Sequence, residues 1–480
     1  MCINDFRTNL TSDAKWCKFH AIFIVCTAML PTPPRQWFRA CQIWIKVLSI
    51  IPMLPLRGAP EVVESLDIAP VWSAHPVDFC LITHAPHQFV AYYDDKRQLT
   101  VAQRQLKEKS WTYTKLPITT AWDSHNYLTM TIDDDGYLHL SGDMHCVPLN
   151  YFRSEKPYDA STFARVASMV GHQEERTTYP KFLRGPAGKL IFMYRDGSSG
   201  DGNQIINQYD LKTKSWERML EHPLTDGEGQ RNAYFSGPVQ GPDDYFHLSW
   251  VWRETPDAST NHDLSYARSK NLIDWETAGG KPLRLPIRLG DGAVVDPIPV
   301  KGGIINGNHR IGFDTAKRVI LSYHKNDAQG HTQPWNARWE DGAWKFSQIT
   351  DWPWTWEFSG GGTLGFGIHL GSVNAETDGT LTQSYRHEKF GGGTWQLDPQ
   401  SLKAIGKVRK AANPASFGRL EGNFPGLRVR TKGDDGVSPE PSTRYLLRWE
   451  TLEANRDQPR PEPWPSPSML RVYQIKTTQS

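Results

Sequence analysis

Five stretches decide how this chain folds: YLHLSGDMH at 137–145, KLIFMYRDG at 189–197, YFHLSWVWR at 245–253, RVILSYHKN at 318–326 and TLTQSYRHE at 380–388. In each, apolar side chains alternate with a period of two, as in a strand with one buried face. A turn cluster precedes each one: Asp133-Asp134-Asp135-Gly136, Gly185-Pro186-Ala187-Gly188, Gly241-Pro242-Asp243-Asp244, Asp314-Thr315-Ala316-Lys317 and Thr377-Asp378-Gly379. Gly, Pro and Asp serve turns through their backbone freedom, fixed φ and side-chain hydrogen bonds respectively. Tryptophans recur around these strands in KSWTY (Trp111), KSWER (Trp216), IDWET (Trp275), GAWKF (Trp344) and GTWQL (Trp395), where an outer strand is expected. The unit returns every 50–70 residues or roughly so, the scale of a four-stranded propeller blade. No helical periodicity competes. The expectation is all-β: a seven-bladed β-propeller forming a single large domain over 65–480. Its units are expected at about 77–118, 127–165, 181–218, 233–277, 303–350, 364–405 and 427–476.

Composition agrees. The chain has 480 residues, 38% hydrophobic and 22% charged, which is globular rather than disordered. Its 19 Trp, 39 Gly and 34 Pro suit many short strands and turns. Aromatic faces also suit sugar stacking, although most such rings belong to cores. A net charge of +2 gives no reason to expect a nucleic-acid partner, so any anion recognition must be local. Four of six cysteines fall in the first 41 residues, leaving only Cys80 and Cys146 in the body. No CxxC occurs, which argues against a zinc knuckle or redox motif, and nothing in the spacing indicates a Cys80–Cys146 disulfide.

Residues 1–60 read differently. Phe19–Leu30 is an apolar run, and Ile43–Leu56 is a second one broken by Lys46 and prolines. Both fall short of the ~18–20 residues of a membrane span. Arg35 and Arg39 before the second run, and Gly58-Ala59 after it, sketch an export signal and hence a secreted or periplasmic protein. A misassigned start codon is the plainer alternative.

A propeller gathers its inner strand ends on one face, where function sits. Here those ends are polar: GDMH, YRDG, WVWRE, SYHK and SYRH. Cleavage of a uronic-acid polymer by β-elimination needs a base for the C5 proton, an acid for the leaving O4, and a cation on the carboxylate. Hydrolysis usually needs two flanking carboxylates instead. The second unit supplies His125 at its opening and His145 at its next strand end, and the third supplies Tyr179 and Arg195 in the same two places. Arg253 and Tyr234 occupy the equivalent places in the fourth and are candidate substrate contacts. A lone His is more often structural; two at equivalent ends of one hairpin are not so easily dismissed.

The text WDSHNY (122–127), GDMHCVPLNYFR (142–153), TYPKFLR (178–184) and MYRDGSSGDGNQ (193–204) resembles the propeller-type polysaccharide lyases. These are the ulvan lyases and the L-rhamnose-α-1,4-D-glucuronate lyases that trim gum arabic. The resemblance runs through nearly everything after about residue 70. It implies catalytic roles for His125, His145, Tyr179 and Arg195, with Arg195 neutralising the carboxylate, His145 and Tyr179 sharing base and acid duty in either order, and His125 in support. A Tyr base would need a nearby cation to lower its pKa, which Arg195 can supply. No cofactor is required for that chemistry. The resemblance also raises a structural metal, zinc or calcium, for which His262, His324 and His387 are candidate ligands. The expected partner is an acidic polysaccharide, and the near-neutral charge favours unsulfated gum-type chains over ulvan.

Two other readings stay open. A related group of α-L-rhamnosidases implies a single catalytic His from the region of WSAHPV (72–77), which makes His75 the residue of a hydrolase acting on the same linkage. A non-catalytic sugar-binding propeller is the third. SKNLIDW (269–275) resembles a degenerate sialidase-type repeat box and marks architecture rather than activity.

Overall fold

The computed structural model describes residues 60–409 and 414–476. The expected N-terminal export segment lies outside the described residues. No helix among them is long and apolar enough to cross a membrane.

The described chain is built of strands, with only short 3-10 turns between some of them. Four-stranded antiparallel sheets follow one another along the sequence. The first holds Cys80–His84, His87–Tyr93, Gln98–Gln105 and Thr112–Thr119, and the second Thr129–Ile132, Leu138–Ser141, Tyr151–Ser154 and Phe163–Val166. An eleven-stranded sheet comes next. Its two meanders, Thr177–Arg184 to Ser215–Arg218 and Asn232–Gln240 to Pro282–Leu283, meet at one parallel bridge, Gly202 to Asn232. Arg310–Phe313 to Ala343–Gln348 and Ile368–Ala375 to Ala404–Val408 make two more four-stranded sheets.

The last sheet joins the first and last described strands. Arg428–Gly433, Thr443–Thr451 and Ser468–Lys476 are completed by Glu61–Val71, antiparallel to the final strand from Glu61↔Lys476 to Val71↔Ser468. That pairing covers the final strand on both sides and leaves Glu61–Val71 at the edge of the sheet. Phe79 and Trp449, rings 4.7 Å apart, pack the first sheet onto the last.

Phe246–Arg253 is buried at every position. Side chains from successive sheets interleave: Val251 and Leu264 share a cluster with Leu321 and Tyr323 of the next sheet. Trp216, Trp275 and Trp344 lie on outer strands as expected. Trp395 departs from that pattern. It sits in Gly391–Leu397, the third strand of its sheet, stacked on Tyr385 at 3.8 Å. A flat ring pair filled the core there, and the edge fell to the more exposed Ala404–Val408. Cys80 and Cys146 are both free thiols.

Candidate active site

The second sheet lends a strand to the third. His145–Val147 leaves its own sheet and pairs with Thr177–Arg184. Thr178 therefore stands opposite His145 on one side and opposite Arg195 on the other. The ladder slips after Thr178, and within that bulge Tyr179 takes φ 59°. A bulky residue rarely adopts a left-handed backbone, and such strain collects where a side chain must be re-aimed. Here it sets the Tyr179 ring between His125, centroids 5.5 Å apart, and Tyr234, at 6.0 Å.

His125 lies in the 3-10 turn Ser124–Asn126, capped by Asp123, whose carboxylate accepts the His125 backbone N–H at 2.8 Å. The same carboxylate binds both imidazoles. Asp123 Oδ1 lies 2.7 Å from His125 Nδ1, and Oδ2 lies 2.6 Å from His145 Nδ1. The two rings stack with centroids 4.0 Å apart. A carboxylate can only accept when ionised, so both rings carry a proton on Nδ1. Burial alone would raise the Asp123 carboxyl, but the hydrogen bonds from His125 and His145 outweigh it and hold it well below the usual carboxylate range.

Arg195 is buried, 2% exposed, and held as a fork. Its Nη2 donates to Thr178 Oγ1 at 2.9 Å and Cys146 Sγ at 3.3 Å, and Nη1 reaches Tyr234 Oη at 3.5 Å. The guanidinium sits 5.0 Å from the Tyr179 ring centre, a cation–π distance. Burial pushes the Tyr179 phenol well up, with Tyr234 adding to the shift, and the pull of Arg195 and Arg253 does not cancel it. Burial thus favours the neutral phenol form of Tyr179.

Arg253 and Tyr234 belong to the same place. The Arg253 guanidinium lies 5.6 Å from the Tyr234 ring centre, and its Nε and Nη2 are held by the carbonyls of Thr255 and Pro256. Tyr234 Oη shares a 2.6 Å hydrogen bond with Ser199 Oγ. His125, His145, Tyr179, Arg195, Tyr234 and Arg253 all line one cavity of about 300 Å³. Its other wall comes from residues 305–307 and 361–366, including Phe366.

The other candidates stand elsewhere. His75 is buried, 1% exposed, with Nε2 3.0 Å from Ser124 Oγ, and it does not line this cavity. His262, His324 and His387 do not converge. Among the described residues, the only such group whose ligand atoms gather closely enough for a metal is Asp123, His125 and His145. His262 is placed between Asp263 and Glu254, at 2.9 and 2.8 Å. His387 Nδ1 accepts the backbone N–H groups of Lys389 and Phe390 beneath Trp354. His324 is buried beside Trp356, and burial pulls its imidazole down to about 4. The ligand atoms of these three rings do not gather in one place, so together they do not fit a metal. In the Asp123 group, both carboxylate oxygens already take imidazole protons.

The sequence reading missed several supports. Asp123 was within a quoted motif but given no role. Thr178 and Cys146 were likewise next to chosen residues. Asp457 is more distant: it accepts from Ser124 N at 3.0 Å and Thr363 N at 2.6 Å, and stands 3.5 Å from His125 Nδ1. Nothing in its local sequence signals this.

Residues 87–352 match the model of the BNR repeat-containing family. An ulvan lyase, long isoform, from Alteromonas sp. (strain LOR) is 22% identical over an alignment covering 34% of this chain and 21% of that protein. The counterpart from Pseudoalteromonas sp. (strain PLSV) gives the same figures. The match thus spans about a fifth of the length of these relatives. Among solved structures, the polysaccharide lyase Uly1 superposes with a TM-score of 0.57 at 13% identity, over 87% of this chain and 99% of that one. A PL25 ulvan lyase gives 0.55 at 13% identity, over 86% and 96%, and it has also been solved bound to a GlcA(1-4)Rha3S unit. At such identity the likeness establishes the fold.

Proposed function

The chain belongs to the BNR repeat-containing family, and from that premise we propose that it is a polysaccharide lyase that cleaves rhamnosyl-glucuronate-type linkages of acidic polysaccharides by β-elimination. The successive sheets are read as the blades of one seven-bladed propeller, with the eleven-stranded sheet counting as two. The observation that carries the functional reading is the shared Asp123 carboxylate: it orients two imidazoles in one cavity with a buried Arg195 and a neutral Tyr179.

Each group has a role its surroundings support. With protons fixed on Nδ1, His125 and His145 keep Nε2 as an acceptor. His145 is the base, being the more exposed of the two, 31% against 18%. It takes the C5 proton. Arg195 neutralises the uronate carboxylate, and as C5–H breaks it stabilises the enediolate. Tyr179 then gives its phenolic proton to O4 as the C4–O4 bond breaks and the C4=C5 double bond forms. His125 supports the dyad. Arg253 and Tyr234 hold the sugar. A polymeric substrate of this kind places the enzyme outside the cytoplasm, secreted or periplasmic. Low net charge favours gum arabic arabinogalactan over sulfated ulvan.

The test is ultraviolet absorbance of gum arabic and ulvan digests with wild type and His145→Ala. A conjugated 4,5-unsaturated uronate that accumulates with wild type and is lost in the variant supports the reading and names the polymer. Free rhamnose without that absorbance, unaffected by His145→Ala, overturns it in favour of a hydrolase.

A further inference from the structure

The loop between the last two strands, Thr443–Thr451 and Ser468–Lys476, does two things. Its near part bounds the cavity region: Asp457 contacts His125 and holds Thr363, while Arg456 Nη1 donates to Ser359 O at 2.7 Å. Its far part presents Trp464, 43% exposed. That indole is not loosely displayed. Its Nε1 donates to Arg460 O at 2.9 Å, and its ring meets Trp122 edge-on at 5.3 Å. Trp122 is the chain neighbour of Asp123. Pro461, Pro463, Pro465 and Pro467 flank it and restrict the backbone.

Trp464 and Phe424 separate two hollows, of about 310 and 410 Å³. Asn423 lines the first. Asn455, Arg428 and Arg460 line the second. Arg428 pairs at the surface with Glu453, whereas among the described residues the Arg460 side chain hydrogen-bonds a carbonyl, Glu453 O, and meets no carboxylate. A rigid exposed aromatic, planar amide side chains and a cation without a carboxylate partner match the needs of an acidic glycan: a ring face to stack on, hydroxyls to bond and a charge to meet.

We propose that Trp464, with Arg460 and Arg428, forms an accessory subsite that binds the uronate-bearing polymer chain as it runs on from the catalytic cavity. This rests on the lyase reading, and it adds a second binding place reached along the same loop. Holding the chain at two points raises the affinity of long substrate over short.

The experiment measures binding without cleavage, in the His145→Ala background, by calorimetric titration with the intact polymer and with a uronate-containing disaccharide. Adding Trp464→Ala is expected to weaken polymer binding about tenfold, the loss of one stacked ring, and to collapse the ratio of polymer to disaccharide affinity. Trp464→Tyr, which keeps a ring face, is expected to restore most of it. Should Trp464→Ala not fold, Arg428→Gln at its exposed position is expected to weaken polymer binding selectively. Polymer binding that is strong in His145→Ala and undiminished by Trp464→Ala or Arg428→Gln overturns the subsite alone. Failure of His145→Ala to bind any acidic polymer, together with a wild type that makes no unsaturated product, overturns the lyase reading beneath it.

Discussion

His125 and His145 lie face to face, ring centroids 4.0 Å apart, each with its Nδ1 against a different oxygen of the same Asp123 carboxylate. One anion thereby fixes two tautomers and two orientations. The arrangement depends on the cap of a short turn and on a strand that has crossed to the next sheet.

Asp123→Asn is the direct test of that arrangement. An amide has one acceptor and one donor, so one imidazole must turn or change tautomer. We expect kcat to fall about 100-fold or more with KM little changed, measured by the 4,5-unsaturated product. Stability carries a second signature. Asp123 is held below its unfolded-chain value, about 3.9, so its ionisation favours the fold above that pH. The contribution is lost as pH falls through that range toward the folded value. Melting temperatures of wild type and Asp123→Asn should therefore converge on acidification from pH 7.

Tyr179→Phe should remove the acid while keeping the ring over which Arg195 sits. A loss of about 10²–10⁴ in kcat is expected for removing a general acid. Because burial raises the phenol above its ordinary value, Tyr179 keeps its proton up to and beyond about pH 10. The kcat profile should show no loss from Tyr179 ionisation below that pH. A raised value also means that its contribution to folding is present below about pH 10 and disappears only as pH climbs past it.

Arg195→Lys keeps the charge but not the fork. Bonds spread over two nitrogens, Nη2 to Thr178 Oγ1 and Cys146 Sγ and Nη1 to Tyr234 Oη, cannot all be reproduced by an ammonium on a flexible stem. Activity on the polymer should drop by about 100-fold, and Arg195→Gln should fall further through loss of the cation.

Gly202→Ala reaches Arg195 from outside the cavity. A Cβ at Gly202 would lie 2.8 Å from Arg195 Cδ and 3.0 Å from Asn232 Oδ1. Arg195 is enclosed and has nowhere to retreat, so overpacking of about 1–3 kcal/mol is expected. A reduced kcat/KM together with a lower melting temperature would confirm that Gly202 leaves room for the guanidinium arm.

His75→Ala separates the two enzymatic readings. His75 is enclosed and bonded to Ser124, so its loss should lower the melting temperature and reduce lyase activity far less than His145→Ala does. Release of free rhamnose that vanishes only in His75→Ala would reverse this.

Strands and turns were legible because their chemistry is local. Alternation in YFHLSWVWR and the turn before it needed no partner to be recognised, and the strand Phe246–Arg253 follows. His125, His145, Tyr179 and Arg195 were legible as reactive residues recurring at the openings and polar ends of successive strand units, although the structure holds His125 in a 3-10 turn and Tyr179 in a bulge. Trp395 was misplaced because one strand of a meander resembles the next until core volume chooses between them.

What only tertiary structure decided are relations between distant segments. His262, His324 and His387 look alike in sequence, yet they lie on three different sheets and their ring nitrogens do not gather. Asp457 reaches Ser124 and His125 across more than 300 positions. That contact, like the pairing of Glu61–Val71 with Ser468–Lys476, brings late segments against early ones. The sequence by itself determined the strand units and pointed to four residues that line one cavity. Contact between early and late segments decided that Asp457 joins Asp123 beside them, since hydrogen bonds depend on separation in space and carry no trace in a local pattern.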